Sequence, residues 1–370
     1  MVTKSMSASF LFVAVWSFAL QAVSAPGTAT DQESPGFETV VSRAISFLEG
    51  AQADDGSWSG SAGPAVTAVV TSGLLRHGRT TQDPMVESAL EFILKHVQDD
   101  GGIYTPGSNH QNYETCLSIV CLSEANQNGR YDDLLQKAGQ FVGEIQWDED
   151  EGHDQSSMSY GGFGYGGHKR PDLSNTQMSL DALKALGKGP DDPRVQKALI
   201  FVSRCQNLET PHNQTEFATK VEDGGFYYTI AAGGSSQAGE TPNGGLRSYG
   251  SMTYAGLKSM IYAGVSADDP RVKAAHEWIQ KHYTLEENPG MGMQGLYYYF
   301  HTFSKALEAI GKDQIEDAAG SPHDWQAELI AKLAAEQQPN GSWINSTERW
   351  MEGDPNLVTG YVLLALDNCR

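Results

Sequence analysis

The chain has 370 residues, and its 25 Lys and Arg against 46 Asp and Glu leave a formal net charge of −21. That balance excludes a phosphate-backbone partner, because nucleic-acid binding needs a basic stripe and no run of Lys or Arg supplies one. Hydrophobic residues at 39% and charged residues at 19% exclude a charge-dominated disordered polymer.

The first element is a targeting segment. Lys4 precedes an apolar run at residues 10–20 (FLFVAVWSFAL), and Ala22-Val23-Ser24-Ala25 offers small residues for cleavage. This is the pattern of a secretory signal peptide, and the run is shorter than the roughly 20 residues that span a bilayer. Pro26 is a poor residue just after a cut, so an uncleaved anchor is the competing reading. The expected division is a signal peptide at 1–25, a flexible linker at 26–36 and one domain at 37–370, exported to a periplasm or the medium. No membrane span is expected after cleavage.

From residue 44 onward two kinds of helix alternate. The first kind is amphipathic: 44–52, 89–98, 138–146, 198–206, 274–283 and 328–338. Asp83-Pro84, Asp192-Pro193 and Asp269-Pro270 mark three of the starts, where Asp accepts free N–H groups and Pro loses no hydrogen bond. The string DDPRV occurs at 191–195 and again at 268–272, a trace of duplication. The second kind is apolar nearly all round: 65–75, 112–122, 174–187, 249–260, 298–311 and 357–366. Anchored at Leu74, Leu122, Leu183, Leu257, Leu307 and Leu366, four of the six carry a threonine seven residues upstream (Thr67, Thr115, Thr176, Thr359). Gly250 and Phe300 fill the other two places. Helices apolar all round are enclosed by others. Repeats that cannot bury their own faces stack, and wholly apolar inner helices argue that the stack closes. The expected fold is all-α: a six-hairpin (α/α)6 toroid around a central cavity.

The turns repeat as well. Gln52-x3-Gly56-x-Trp58 and Gln337-x3-Gly341-x-Trp343 share a pattern, and Gln98-x3-Gly102-x-Tyr104 reads as the same with Tyr. Gly161-Gly162-Phe163 and Gly224-Gly225-Phe226-Tyr227 are weaker copies. Gly permits the positive φ that ends a helix, the ring packs over the next helix start, and the Gln amide is expected to satisfy backbone groups there. These turns resemble the QW-type repeats of squalene–hopene cyclases and the related repeats of protein prenyltransferase β-subunits, over about residues 37–370.

That resemblance implies where chemistry belongs. The cyclases carry Asp-x-Asp-Asp-Thr-Ala at an inner-helix start, the middle Asp protonating an alkene. The best match is Asp172-Leu173-Ser174-Asn175-Thr176-Gln177, which puts Ser174 in the acid's place. Asp172 is then either a substitute acid or the cap of the helix that follows. The prenyltransferases place a zinc-binding His on an inner helix, and the context of His301 is similar. Their Asp-x-Cys is missing from the preceding helix, so no zinc and no other cofactor are expected, and His301 is expected in the cavity wall. The aromatic residues Tyr160, Phe163, Tyr165, Phe226, Tyr227, Tyr249, Tyr254, Tyr298 and Phe300, with Asn175 and Thr176, are the candidates for lining that cavity, alongside core packing for about half of the rings. The long insertions at 147–171 and 229–247 are expected to build its mouth.

Two features point elsewhere. The acidic loop Asp148–Asp154 lacks the Gly and late Glu register of a calcium loop. The four cysteines are too few for a disulfide framework: Cys116 and Cys121 diverge on one helix, and the pairing of Cys205 with Cys369 stays open. Two functions follow from different classes. One is a cyclase-like protein binding an apolar, isoprenoid-like ligand in an aromatic cavity. The other is a non-catalytic toroid binding a ligand or a protein partner.

Overall fold

The structure is a computed structural model that describes residues 36–166 and 169–370; the signal peptide expected at 1–25 lies outside them. Among the described residues, twelve α-helices alternate in two layers. The outer layer is α1 (Phe37–Ala51), α3 (Pro84–Leu94), α5 (Asp132–Glu144), α7 (Pro193–Arg204), α9 (Pro270–Lys281) and α11 (Trp325–Glu336). The inner layer is α2 (Pro64–Arg76), α4 (Gln111–Glu124), α6 (Leu173–Ala185), α8 (Gly250–Tyr262), α10 (Leu296–Ile310) and α12 (Pro355–Asp367). A two-residue hairpin, β1 (Ile315–Glu316) with β2 (Pro322–His323), is the sheet among the described residues. Asp83, Asp192, Asp269 and Asp354 each accept the N–H of the second residue beyond them, at 2.9–3.0 Å, so the Asp-Pro starts act as caps.

The six inner helices pack in a ring: α2 on α4, α4 on α6, α6 on α8, α8 on α10, α10 on α12, and α12 back on α2. Their burial follows from that position. Ten residues of α12 in succession, Leu357–Leu366, are buried, whereas the outer helix α5 buries only Leu135, Ala138, Gly139, Phe141 and Val142.

The Gln–Gly–aromatic turns tie successive hairpins together. The Gln52 Nε2 donates to the carbonyl of Gly56 in its own turn and to that of Met85 in α3, at 3.0 and 2.8 Å. Gln146 and Gln206 do the same toward Arg194 of α7 and Arg271 of α9. Gln337 reaches Val40 of α1 at 2.9 Å, so the last turn holds the first helix. The amide therefore donates to carbonyls of the neighbouring outer helix. The glycine is required twice over: Gly161 has φ +82, and a Cβ there would lie 1.9 Å from the Lys197 carbonyl oxygen of α7. The indoles of Trp58 and Trp343 donate to Leu48 and Leu333 carbonyls at 2.8 Å.

The inner-helix threonine is the other half of this joint. Thr67, Thr115, Thr176 and Thr359 accept the backbone N–H of Trp58, Ile103, Phe163 and Trp343 through Oγ1. Two sequence alignments are corrected here. In the fourth repeat the same bond is made by Thr253 to the Phe226 N–H, at 3.0 Å, so the register residue is Thr253 and not Gly250, a shift of one near-helical turn that apolar periodicity does not resolve. In the second repeat Gly101, not Gly102, abuts the next outer helix, and Ile103, not Tyr104, takes the aromatic's place. Gln98 is thereby one residue late, and its amide folds back on His96 and Tyr104.

All four cysteines are buried and free, Cys205 and Cys369 included. Asp148 and Glu149 of the acidic loop pair with Lys197 of α7 at 2.9 and 2.6 Å. Among the described residues, no helix is long and apolar enough to cross a membrane.

Candidate functional site

A cavity of about 240 Å³ opens at the N-terminal ends of the inner helices, and all six contribute to its wall. The register threonines explain which residues face it. Two positions before each of them, and before Phe300 in the fifth repeat, stand Ala65, Tyr113, Ser174, Ser251, Tyr298 and Leu357, and every one of these lines the cavity. Equivalent positions on equivalent helices point to the common axis: five of these helices are clamped at the same turn by the same threonine bond, and α10, with Phe300 in that place, is bonded through its Tyr298 N–H to Glu352. This is also the position at which Asp-x-Asp-Asp-Thr-Ala places its protonating Asp. Here it holds no carboxylic acid.

The wall is dominated by tyrosine: Tyr113, Tyr165, Tyr228, Tyr249, Tyr298 and Tyr361, with Leu117 and Met252 among them. The mouth is built from the loops before α8 and α12, through Gln237, Trp350 and Met351. Trp350 and Met351 hold φ of +57° and +65°, a left-handed conformation that costs non-glycine residues of order 1–3 kcal/mol each. What holds them is Glu352, fully buried, which accepts the Tyr298 N–H at 2.8 Å and the Asn345 side chain at 2.6 Å. Glu352 thus caps α10 from the sixth repeat. Arg349 lies 4.2 Å from the Trp350 ring and donates to Gln237, joining the two mouth loops. Met293, Ile344, Trp350 and Met351 are all exposed apolar residues.

Of the residues singled out in the sequence, Tyr165, Tyr249 and Tyr298 line the cavity. The others lie elsewhere. Phe163 and Phe226 fill the tryptophan place of the turns, and the Tyr227 hydroxyl donates to the Arg204 carbonyl at 2.6 Å as the tryptophan indoles do. Tyr160 donates to Glu149 of the acidic loop at 2.8 Å. Tyr254 packs edge-on to Tyr299, and Phe300 against Tyr297 and Tyr299. Thr176 makes its register bond. Tyr113, Tyr228, Tyr361 and Trp350 were not singled out. Aligning NYET of α4 on LSNT of α6 through their threonines puts Tyr113 on Ser174, a signal present in the chain.

Asp172 is buried behind the wall. It caps α6, its Oδ1 accepting the Asn175 N–H and its Oδ2 the Asn175 amide, both at 2.8 Å. Burial raises its carboxyl to about 6, against the lowering by the Asn175 groups and the Tyr228 hydroxyl. Between the usual carboxylate value and 6 the folded chain holds a proton that the unfolded chain has released, so this group lowers stability as pH rises through that window. Asp172→Asn keeps the cap, since Asn and Asp serve alike there. Its unfolding free energy is expected to match the wild type near pH 4 and to exceed it at pH 7; a deficit at pH 7 in urea titrations refutes this reading. The carboxylate that does line the cavity is Glu114, held by the Thr105 N–H at 2.8 Å and by Ser108.

His301 is buried and stacks on Tyr361, with centroids 5.7 Å apart and planes at 18°. It lines a separate void of about 20 Å³ with Asp181 and Lys305, and among the described residues no partner reaches its Nδ1. Burial, with Lys305 and Lys258 nearby, holds the imidazole well below its usual value, hence neutral. A divalent cation does not fit beside two ammonium groups, so the zinc site of the prenyltransferases has no counterpart around His301.

Residues 62–230 match the squalene-hopene cyclase C-terminal domain family. No curated protein matches the chain in sequence. In structure it is similar to a protein from Actinoplanes, at 15% identity over 90% of this chain and 99% of that one, with a TM-score of 0.52. It is similar also to a possible member of the GH105 family from Salmonella enterica, at 9% identity over 94% and 98%, with a TM-score of 0.53. A type II terpene cyclase from Scytonema aligns at 13% identity over 90% and 97%, with a TM-score of 0.34. At these identities the first two likenesses are ones of fold. The match over residues 62–230 and the closed ring of six helical hairpins make the chain similar, in that segment and in fold, to the squalene-hopene cyclase C-terminal domain family.

Proposed function

We propose that this is an exported toroid protein that binds a short apolar, isoprenoid-like ligand in the tyrosine-lined cavity, without starting a protonation cascade. The observation that carries the reading is the ring of six equivalent wall positions, Ala65, Tyr113, Ser174, Ser251, Tyr298 and Leu357. They surround one apolar space from every repeat, and none is an acid strong enough to protonate an alkene. Asp172 has a raised pKa but is engaged as a cap and stands behind Tyr228. The volume of about 240 Å³ falls just under the ~300–1,000 Å³ usual for ligand sites, which favours a ligand of monoterpenoid size over a triterpene. The apolar mouth residues suit entry of such a molecule.

The test is incubation of the purified protein with geraniol, followed by native mass spectrometry and gas chromatography of the extract. One bound geraniol per chain, recovered unchanged, is the expected result. Absence of binding removes the ligand reading, and a cyclised product removes the non-cyclising one.

A further inference from the structure

Beneath the cavity runs a chain of polar side chains that the apolar reading leaves unused. Asp181 of α6 is buried and accepts from Lys258 of α8 at 2.8 and 2.7 Å and from Lys305 of α10 at 2.9 Å. Lys258, 1% exposed, also donates to the Gln177 Oε1. The Gln177 Nε2 in turn donates to the Tyr298 hydroxyl oxygen at 3.1 Å, and the Ser174 hydroxyl lies 3.0 Å from that same oxygen. Tyr298 and Ser174 both line the cavity.

This chain has a direction. Lys258 donates both to Asp181 and to the Gln177 Oε1, so the carbonyl end of Gln177 faces Lys258 and its NH2 faces Tyr298. The Tyr298 oxygen is then already an acceptor toward Gln177, and its own proton is left for Ser174 or for whatever enters the cavity. Among the described residues the wall contains no Lys or Arg, so no positive charge waits there for an anionic group.

We infer that the Tyr298–Ser174 pair is a hydrogen-bond-donating end of the cavity, and that the occupant is a neutral apolar molecule bearing one oxygen acceptor, a carbonyl or hydroxyl, rather than a hydrocarbon. Gln177 is a positioning residue: clamped by Lys258, it holds the donor direction of Tyr298. This rests on the cavity being the ligand site.

Displacement of the neutral dye N-phenyl-1-naphthylamine by geraniol, geranial and myrcene reads the inference directly. The wild type is expected to bind geraniol and geranial about tenfold more tightly than myrcene, the effect of one buried hydrogen bond. Tyr298→Phe is expected to reduce that preference to about threefold or less, with myrcene unchanged. Gln177→Glu supplies the sharper readout. The new carboxylate accepts from both Lys258 and Tyr298, so the tyrosine proton turns away from the cavity. Geraniol, itself a donor, keeps its affinity, and geranial falls toward myrcene. A merely structural role for Gln177 does not separate the alcohol from the aldehyde. Equal binding of all three probes by the wild type, or an unchanged geraniol-to-geranial ratio in Gln177→Glu, overturns the inference while leaving the cavity occupied. Binding of none overturns the cavity reading and this inference with it.

Discussion

Asp181→Asn is expected to destabilise the protein by about 3–5 kcal/mol in urea unfolding at pH 6, where both lysines are protonated in the wild type, because it leaves two buried ammonium groups without a counter-charge. Asp181 serves both Lys258 and Lys305, and those lysines hold its carboxyl far below the usual range despite complete burial. A second change is expected to restore part of the loss: Lys258→Met in the same chain removes one of the stranded charges and replaces a buried ion by an apolar side chain of similar length. The pH dependence provides an internal check. Burial, opposed by Asp181 and reinforced by Lys305, depresses Lys258 to about 7. Below pH 7 the lysine is protonated in both the folded and unfolded chains. Between pH 7 and its ordinary value near 10.5 the unfolded chain binds a proton that the folded chain does not, so this group makes stability rise with pH across that window. Lys258→Met is expected to flatten that rise. A variant that keeps the wild-type slope from pH 7 to 10 shows that Lys258 is not the group responsible, and a loss below 1 kcal/mol for Asp181→Asn shows that the cluster is not dry.

The second large effect concerns closure of the ring. Gly341 has φ +93, and a Cβ at that position would stand 2.3 Å from the carbonyl oxygen of Arg43, in α1. This is the seam where the last turn meets the first helix, bound also by Gln337 to Val40 and by Arg43 to the Gln338 carbonyl at 2.8 Å. Gly341→Ala therefore meets both a backbone penalty of about 1–2 kcal/mol and an overpacking cost of about 1–3 kcal/mol. Gly78→Ala, at φ +85 with open space around its Cβ, meets the first alone and is the control. A loss of about 2–5 kcal/mol for Gly341→Ala is expected, with hydrogen exchange rising first in α1. Equal losses in the two variants show that α1 does not press on that turn, and the ring is then not closed as described.

Much of this architecture is written locally. Asp-Pro starts, glycine stops and the change between amphipathic and all-round apolar helices mark twelve elements along one dimension, and all of them are helical in the structure. The turn motif was readable for the same reason, since Gln, Gly and the aromatic lie within a few residues of one another. Its partner was not: the Gln amide bonds to Met85, Arg194, Arg271 and Val40, 33 to 297 residues away. The site suffered most from this. Nine aromatic residues were named for the cavity, but whether a ring on an all-apolar helix faces the axis or a neighbouring helix is a matter of rotation by a fraction of a turn. That rotation is set by the threonine bond to the preceding turn. In the fourth repeat, Thr253 lay hidden behind a plausible alternative anchor at Leu257.

The amino-acid order on its own determined the number, kind and order of the helices and the repeat that relates them, because capping, φ preferences and apolar periodicity act between neighbours in the chain. Only the three-dimensional packing decided which six residues face the axis, that Glu352 caps α10 from the next repeat, and that Asp181 gathers lysines from two other helices. Those outcomes depend on distances between segments far apart in sequence, which are defined only once the ring has closed and excluded water from its interior.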